Sequence, residues 1–166
     1  DNTMIFKAME IAHRGDVIVI ADQFDTNNSI LGGVMAEMAA AKGIAAFVTD
    51  GLVRDVEELE KAGMPVFAQG LTPMAPGAGG RKGMGQVNTM ISCGGVSVQA
   101  GDIVMGDRDG VVIIPTDDAE TVLARGEELR KKERDWLNPN VAGKYALYES
   151  IHEELVRQGC EMDHEL

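Results

Sequence analysis

Apolar positions in the first half of the chain fall into short runs separated by polar or glycine-rich breaks. Met4 or Ile5, Ala8, Met9 and Ala12 recur at helix spacing over residues 3–13, with Gly15 placed to end that helix. Val17 to Ala21 is an unbroken apolar run of strand length, the pattern of a strand covered on both faces. Asp22 to Ser29 is polar and reads as a loop. Gly32 to Lys42 reads as a helix of small residues stopped by Gly43, and Ile44 to Val48 as the next strand. Asp50-Gly51 is turn chemistry. Asp55 to Lys61 is a short helix stopped by Gly63, and Pro65 to Ala68 a third strand. Strands and helices alternating at this spacing predict βαβ units and a parallel sheet.

The pattern changes after Gly70. Residues 71–85 hold prolines and many glycines and predict a long loop. Four short β-like runs follow: Val87 to Ser92, Val96 to Val98, Ile103 to Met105 and Val111 to Ile114. Gly94-Gly95, Ala100-Gly101-Asp102 and Asp107-Arg108-Asp109-Gly110 separate them as hairpin connections, so this half reads as antiparallel β. Beyond Pro115, Asp117 and Glu120 form a capping-box pattern at the head of a helix reaching about Trp136. Asn138-Pro139-Asn140 breaks it, Val141 to Arg157 forms another helix, and a polar tail closes the chain. The expected organisation is a mixed α/β domain over 1–116 and a helical extension over 117–166.

Composition narrows the partners. The 166 residues are 45% hydrophobic and 25% charged, as in an ordinary globule, and no apolar run approaches a membrane span. The net charge of -12 repels phosphate backbones, and Arg130-Lys131-Lys132 sits among glutamates, so nucleic acid is not an expected partner. Cys93 and Cys160 are far apart without metal-ligand spacing and read as reduced thiols; a cytoplasmic location is expected. The sequence starts at Asp1 and runs at once into a helical pattern, as a segment whose beginning is missing would.

Several motifs offer chemistry. Gly77-Ala78-Gly79-Gly80-Arg81-Lys82-Gly83 lacks the spacing of a P-loop or a dinucleotide fingerprint; it is either a flexible loop or a lid carrying Arg81 or Lys82 over an anion. His152-Glu153-Glu154-Leu155-Val156 has a valine where a zinc-protease helix needs its second histidine. Cys160, Asp163 and His164 lie in the terminal tail, and the methionines at apolar positions read as core filler.

Arg54-Asp55 has two readings. Asp55 with Glu58 fits a capping box, with Arg54 paired to a surface carboxylate. Alternatively, the pair follows the carboxyl end of a strand in a parallel sheet, where open α/β proteins place ligands. Gly32-Gly33 should lie at the same edge. Amides at that helix start suit a carboxylate, the Arg54 fork suits a keto or enolate oxygen, and Asp55 suits a divalent metal.

These pieces, in order, resemble the RraA-like family. The resemblance rests on Asp1-Asn2, Gly15-Asp16-Val17, Gly32 to Asp55 with Thr49-Asp50-Gly51 and Arg54-Asp55, Gly94-Gly95-Val96 with Gly101-Asp102, and Asp107-Arg108-Asp109-Gly110-Val111-Val112 to Pro115. The family includes class II pyruvate aldolases acting on 4-hydroxy-4-methyl-2-oxoglutarate and 4-carboxy-4-hydroxy-2-oxoadipate, and the regulator of ribonuclease E activity. The resemblance implies a swivelling-type β/β/α domain assembled as a trimer or dimer of trimers. It implies Mg²⁺ or Mn²⁺ bound through Asp55, the 2-oxo oxygen on Arg54, the substrate carboxylate on the amides of the Gly32, Gly33, Val34 and Met35 segment, and Asn2 beside the site.

The implied activity is metal-dependent aldol cleavage of a 4-hydroxy-2-oxo acid, oxaloacetate decarboxylation to pyruvate, or both. The alternative is a non-catalytic protein-binding regulator. The aldolases of the family carry an acidic residue 21 positions before the arginine, and here that position is Gly33. Glu37, one turn further along the helix, and Asp22 and Asp25, in the preceding loop, are the candidate substitutes for proton transfer. Residues 136–166 are expected to form a helical arm against a neighbouring subunit.

Overall fold

The computed structural model describes residues 2–23, 25, 27–76, 85–139 and 145–160. Helix α1 (Thr3–Ile11) leads into β1 (Val17–Ile20) and β2 (Ser29–Leu31). Then come α2 (Gly33–Lys42), β3 (Ala46–Thr49), β4 (Leu52–Val53), α3 (Val56–Ala62), β5 (Val66–Phe67) and β6 (Gly70–Leu71). The odd and even strands separate into two parallel sheets, β1-β3-β5 and β2-β4-β6. Each pass of the chain therefore crosses from one sheet to the other before entering a helix, a β/β/α arrangement. The hairpins β7–β8 (Ile91–Cys93, Val96–Val98) and β9–β10 (Ile103–Asp107, Gly110–Ile114) are antiparallel, as their turn sequences predict.

The core lies under β3. Its four residues are all buried and Phe47 is fully enclosed, because β3 has a neighbour on each side. Burying such a ring contributes about 1.5–3 kcal/mol. Leu31, Met35, Ala36 and Ala39 join the same core, the alanines letting α2 lie close to the sheets. The run at β1, expected to be covered on both faces, is only half-buried except at Ile18, because β1 pairs with β3 alone.

Other departures are local. α1 stops at Ile11, earlier than its apolar pattern, because Ala12 is already extended; Gly15 instead donates its N–H to the Gly43 carbonyl at 2.8 Å. Gly43 and Gly63 end α2 and α3 in the left-handed region, as expected. The polar stretch before Ser29 runs directly into β2, an element too short for its pattern to announce. Gly94-Gly95 both take positive φ, as a two-residue hairpin turn of this hand requires. Gly106 of β9 lies flat against Phe67: a Cβ there would stand 2.6 Å from the ring Cζ.

The chain divides into two compact units, Asp1–Asp117 and Asp118–Leu166. The second holds α4 (Ala119–Trp136) and α5 (Ala146–Arg157), and α4 buries no residue. The Asp117–Glu120 capping box does not form; a 3₁₀ turn over Thr116–Asp118 precedes α4, whose cap position is Asp118 without a side-chain bond. Among the described residues no helix is long and apolar enough to cross a membrane.

Candidate functional site

The site is built where β4 runs into α3, opposite the start of α2. Asp55 holds a left-handed backbone conformation, φ 60° and ψ 51°, at the cap position of α3. A non-glycine residue there stores about 1–3 kcal/mol of strain, and aspartate is among the residues that tolerate it best. Its carboxylate makes no cap bond to its own helix. Oδ2 instead accepts the Gly33 N–H at 3.1 Å and faces Arg54 Nε at 3.3 Å. The capping-box reading of Asp55 and Glu58 is therefore not what this geometry shows.

Arg54 is held from three directions. Its backbone N–H donates to the Leu31 carbonyl at 3.2 Å, Nη1 donates to Ser29 Oγ at 2.8 Å, and Nε faces Asp55. Ser29 is buried and is itself fixed, giving both its N–H (2.8 Å) and its hydroxyl (3.0 Å) to the Met74 carbonyl. The guanidinium is thus aimed by β2 as well as by its own strand. Its remaining N–H groups have no protein acceptor among the described residues.

Gly32 makes this closeness possible. A Cβ at position 32 would stand 2.4 Å from Asp55 Oδ2 and 2.9 Å from Arg54 Cγ. Of the amides at the head of α2, Gly33 gives its N–H to Asp55 and Met35 gives its own to the Gly32 carbonyl at 3.1 Å. The Val34 N–H is left without a protein acceptor among the described residues, and the Val34 side chain is exposed. The Met35 side chain is core, and its sulfur accepts the Asn2 Nδ2–H at 3.9 Å. Asn2 Oδ1 is buried with no partner among the described residues. Arg54 and Asp55 line a shallow hollow of about 290 Å³ with Val53, Val56, Leu71, Thr72 and Pro73.

The three carboxylates considered for proton transfer are not gathered at this hollow. Asp25 is committed to its own loop, accepting the N–H groups of Asn27 and Asn28. Glu37 is exposed on α2. Asp22 lines a separate cleft of about 1140 Å³, flanked by β1 and residues 85–92. Burial, reinforced by the charges of Asp25 and Asp50, raises the Asp22 carboxyl to about 6. Asp1, the glycine-rich loop with Arg81 and Lys82, and Asp163 and His164 lie outside the described residues.

Two acidic residues carry only structural roles in the sequence reading, Asp50 in a turn and Glu58 as the cap partner of Asp55. Asp50, read only as turn chemistry, is buried and accepts the backbone N–H groups of Asp22 (2.7 Å) and Gly94 (3.1 Å). It ties the end of β1, the end of β3 and the β7–β8 turn together. Glu58, in the first turn of α3, packs against the start of α2: a Cβ at Gly33 would stand 2.4 Å from the Glu58 Cβ. The available signal was a glycine in helix position 33, where no turn calls for one.

The match to known proteins spans the unit that carries these residues. The model of the family described as "RraA-like: Aldolase/RraA" matches residues 1–113. The chain belongs to the RraA-like family. It is 41% identical over 135 residues to a "Putative 4-hydroxy-4-methyl-2-oxoglutarate aldolase" of Halalkalibacterium halodurans, a match covering 81% of this chain and 61% of that protein. It is 31% identical to the "4-hydroxy-4-methyl-2-oxoglutarate aldolase" of Thermus thermophilus, covering 69% of this chain and 68% of that one. A solved structure described as the RNA-processing inhibitor RraA from Thermus thermophilis superposes with a TM-score of 0.63 at 31% identity, over 69% of this chain and 68% of that chain. This RraA-like chain thus spans about three fifths of the length of its Halalkalibacterium relative.

The site's donors suit a hard divalent cation only in part. Among the described residues, Asp55 keeps one carboxylate oxygen without a protein partner, and its side chain is 40% exposed. That suits Mg²⁺ or Mn²⁺, which keep several waters and take one or two carboxylates together with the substrate's oxygens. Among the described residues, no group of three or more His, Cys, Asp or Glu side chains is gathered to hold a metal alone.

Proposed function

We propose that this RraA-like protein is a divalent-metal-dependent carbon–carbon lyase. Its reaction is cleavage of a 4-hydroxy-2-oxo acid of the 4-hydroxy-4-methyl-2-oxoglutarate type, decarboxylation of oxaloacetate to pyruvate, or both. One observation carries the reading: the Asp55 carboxylate, held on a strained backbone, leaves its own helix uncapped and stands beside the Arg54 guanidinium at the rim of an open hollow. The aldolase names borne by the Halalkalibacterium and Thermus relatives support the same reading.

The residues then divide the work. Asp55 holds the cation through its free oxygen. A bound Mg²⁺ or Mn²⁺ supplies Lewis-acid polarisation of the 2-oxo group. Arg54, fixed by Ser29 and Asp55, directs its spare N–H groups at the same oxygen and stabilises the charge that develops there as the C3–C4 bond breaks. The unpaired Val34 N–H, at the positive end of α2, receives the substrate carboxylate. Gly32 keeps the three close. The shallow, open hollow is consistent with assembly as a trimer or dimer of trimers, in which a neighbouring subunit would deepen it.

Pyruvate release from a panel of 4-hydroxy-2-oxo acids and from oxaloacetate tests this on the full-length protein. Activity with Mg²⁺, lost with EDTA and in Arg54→Ala, is expected. Pyruvate release indifferent to both treatments sinks the mechanism. The likeness to the RNA-processing inhibitor favours a second reading, a non-catalytic protein-binding regulator. Calorimetry without Mn²⁺ binding, together with one stoichiometric protein partner, would select it.

A further inference from the structure

We propose that Glu58 is the proton acceptor of this site, an assignment that rests on the lyase reading above. Gly33 opens α2, and Glu58 stands in the first turn of α3. A Cβ at position 33 would lie 2.4 Å from Glu58 Cβ, 3.0 Å from Glu58 Cγ and 3.4 Å from Asp55 Cβ. The stem of Glu58 therefore fills the space that a side chain at 33 would take, and it does so beside Asp55. The absence of a side chain at 33 is what admits a carboxylate from the other helix.

Glu58 is also uncommitted. It is exposed, and among the described residues it has neither an ion pair nor a side-chain hydrogen bond. Asp55 is occupied with Gly33 and Arg54, Asp25 with its asparagines, and Asp50 with two backbone amides. Asp22 belongs to the other cleft. A general base must exchange protons freely and stand within reach of the reacting hydroxyl. Among the described acidic residues around Arg54 and Asp55, Glu58 is uncommitted and its stem lies with Asp55 against position 33, whereas Glu37 stands a turn further along α2.

The step balances without a further reagent. The 4-hydroxyl gives its proton to a Glu58 carboxylate oxygen, and the O–H electron pair becomes the second bond of the new C4 carbonyl. The C3–C4 pair passes into the enolate of pyruvate. Glu58 then returns the proton to C3, giving pyruvate and the carbonyl product. Decarboxylation of oxaloacetate needs no such acceptor, since CO₂ leaves with its bonding pair passing to the same enolate, which then takes its C3 proton from solvent water.

Glu58→Gln decides the assignment when both reactions and Mn²⁺ binding are measured on the full-length protein. Expected is a fall in kcat for 4-hydroxy-2-oxo acid cleavage of about 10²–10⁴-fold, with KM unchanged. The acid limb of the kcat–pH profile should vanish in Glu58→Gln and return in Glu58→Asp. Oxaloacetate decarboxylation and the calorimetric Mn²⁺ affinity should stay near wild type. Gly33→Ala, which drives the Glu58 stem aside, should lower cleavage. Wild-type cleavage with an intact acid limb in Glu58→Gln overturns the assignment alone. So does an equal loss of both reactions, or a loss of Mn²⁺ binding, since either marks a structural or ligand role. No pyruvate from the wild type on either substrate overturns the lyase reading, and this assignment falls with it.

Discussion

The Asp55 carboxylate accepts the Gly33 N–H at 3.1 Å across 22 positions of sequence, joining the starts of two successive helices through a residue whose side chain makes no cap bond to its own helix. An anionic side chain at the positive end of α2 is favoured by the helix dipole. That gain offsets part of the strain in the left-handed Asp55 backbone.

Replacing Gly32 tests how tightly the pair is packed. A methyl group at 32 would overlap Asp55 Oδ2 and Arg54 Cγ. Gly32→Ala is expected to cost about 2 kcal/mol in urea unfolding, the usual penalty for forcing atoms into filled space. It should also lose most pyruvate release. A variant as stable and as active as wild type would show that the two side chains have room to move.

At position 55, backbone and charge separate by substitution. Asn tolerates the left-handed region and keeps an oxygen for the Gly33 N–H, so Asp55→Asn should unfold within about 1 kcal/mol of wild type while losing Mn²⁺ binding. A β-branched residue fits that backbone poorly, so Asp55→Val should lose about 2 kcal/mol more. Calorimetry for the metal and urea curves for stability distinguish the effects; equal stability of the two variants counts against strain at 55.

Asp22 gives the protein a pH signature. Its carboxyl is raised to about 6, first by burial and then by Asp25 and Asp50. The unfolded chain titrates near 3.9, so the folded state binds this proton more tightly. Folding is therefore penalised above pH 6, and the penalty fades as pH falls from about 6 towards about 4. Asp22 is only half-buried, so solvent screening reduces the effect to about 1 kcal/mol. Asp22→Asn should be more stable than wild type by that amount at pH 8 and equal to it near pH 4. A difference that does not change between those two pH values would count against this account.

Asp50 should be far less forgiving than Asp22. Its carboxylate satisfies two backbone amides in a buried setting. Asp50→Ala leaves both without an acceptor, at about 2–4 kcal/mol, whereas Asp50→Asn retains one oxygen and should lose about half. Hydrogen exchange at Asp22 and Gly94 should accelerate together in Asp50→Ala. Acceleration of one amide without the other would mean that the carboxylate is not the shared fastener.

The regular elements were legible where composition and period agreed. Gly32 and Gly43 bracket α2 in the sequence as they do in space, and Gly94-Gly95 announces its hairpin. The second parallel sheet was not legible, because β2, β4 and β6 are two or three residues long and hydrophobic period needs more. At the site, Arg54 and Asp55 could be named from sequence, but the choice between cap and ligand group turned on the sign of φ at Asp55, which residue type leaves open. Glu58 reads from sequence only as a cap partner of Asp55, because its place beside position 33 is a relation between two helices that neither helix displays alone.

The crossings between the two sheets also set where the chain can change length. Asp50-Gly51 and Ala68-Gln69 are two-residue passages, and they are fastened side by side: Gln69 donates to the Gly51 carbonyl at 3.1 Å, and Asp22 donates to Asp50. The first passage, between Ile20 and Ser29, is longer. A single residue added at Gly51 would shift β4 and turn Arg54 to the opposite face of its sheet. The Asp50-Gly51 passage is thus the place where the reading frame of the site is kept, and the place where neither lineages of this fold nor an engineer can lengthen the chain without losing the site.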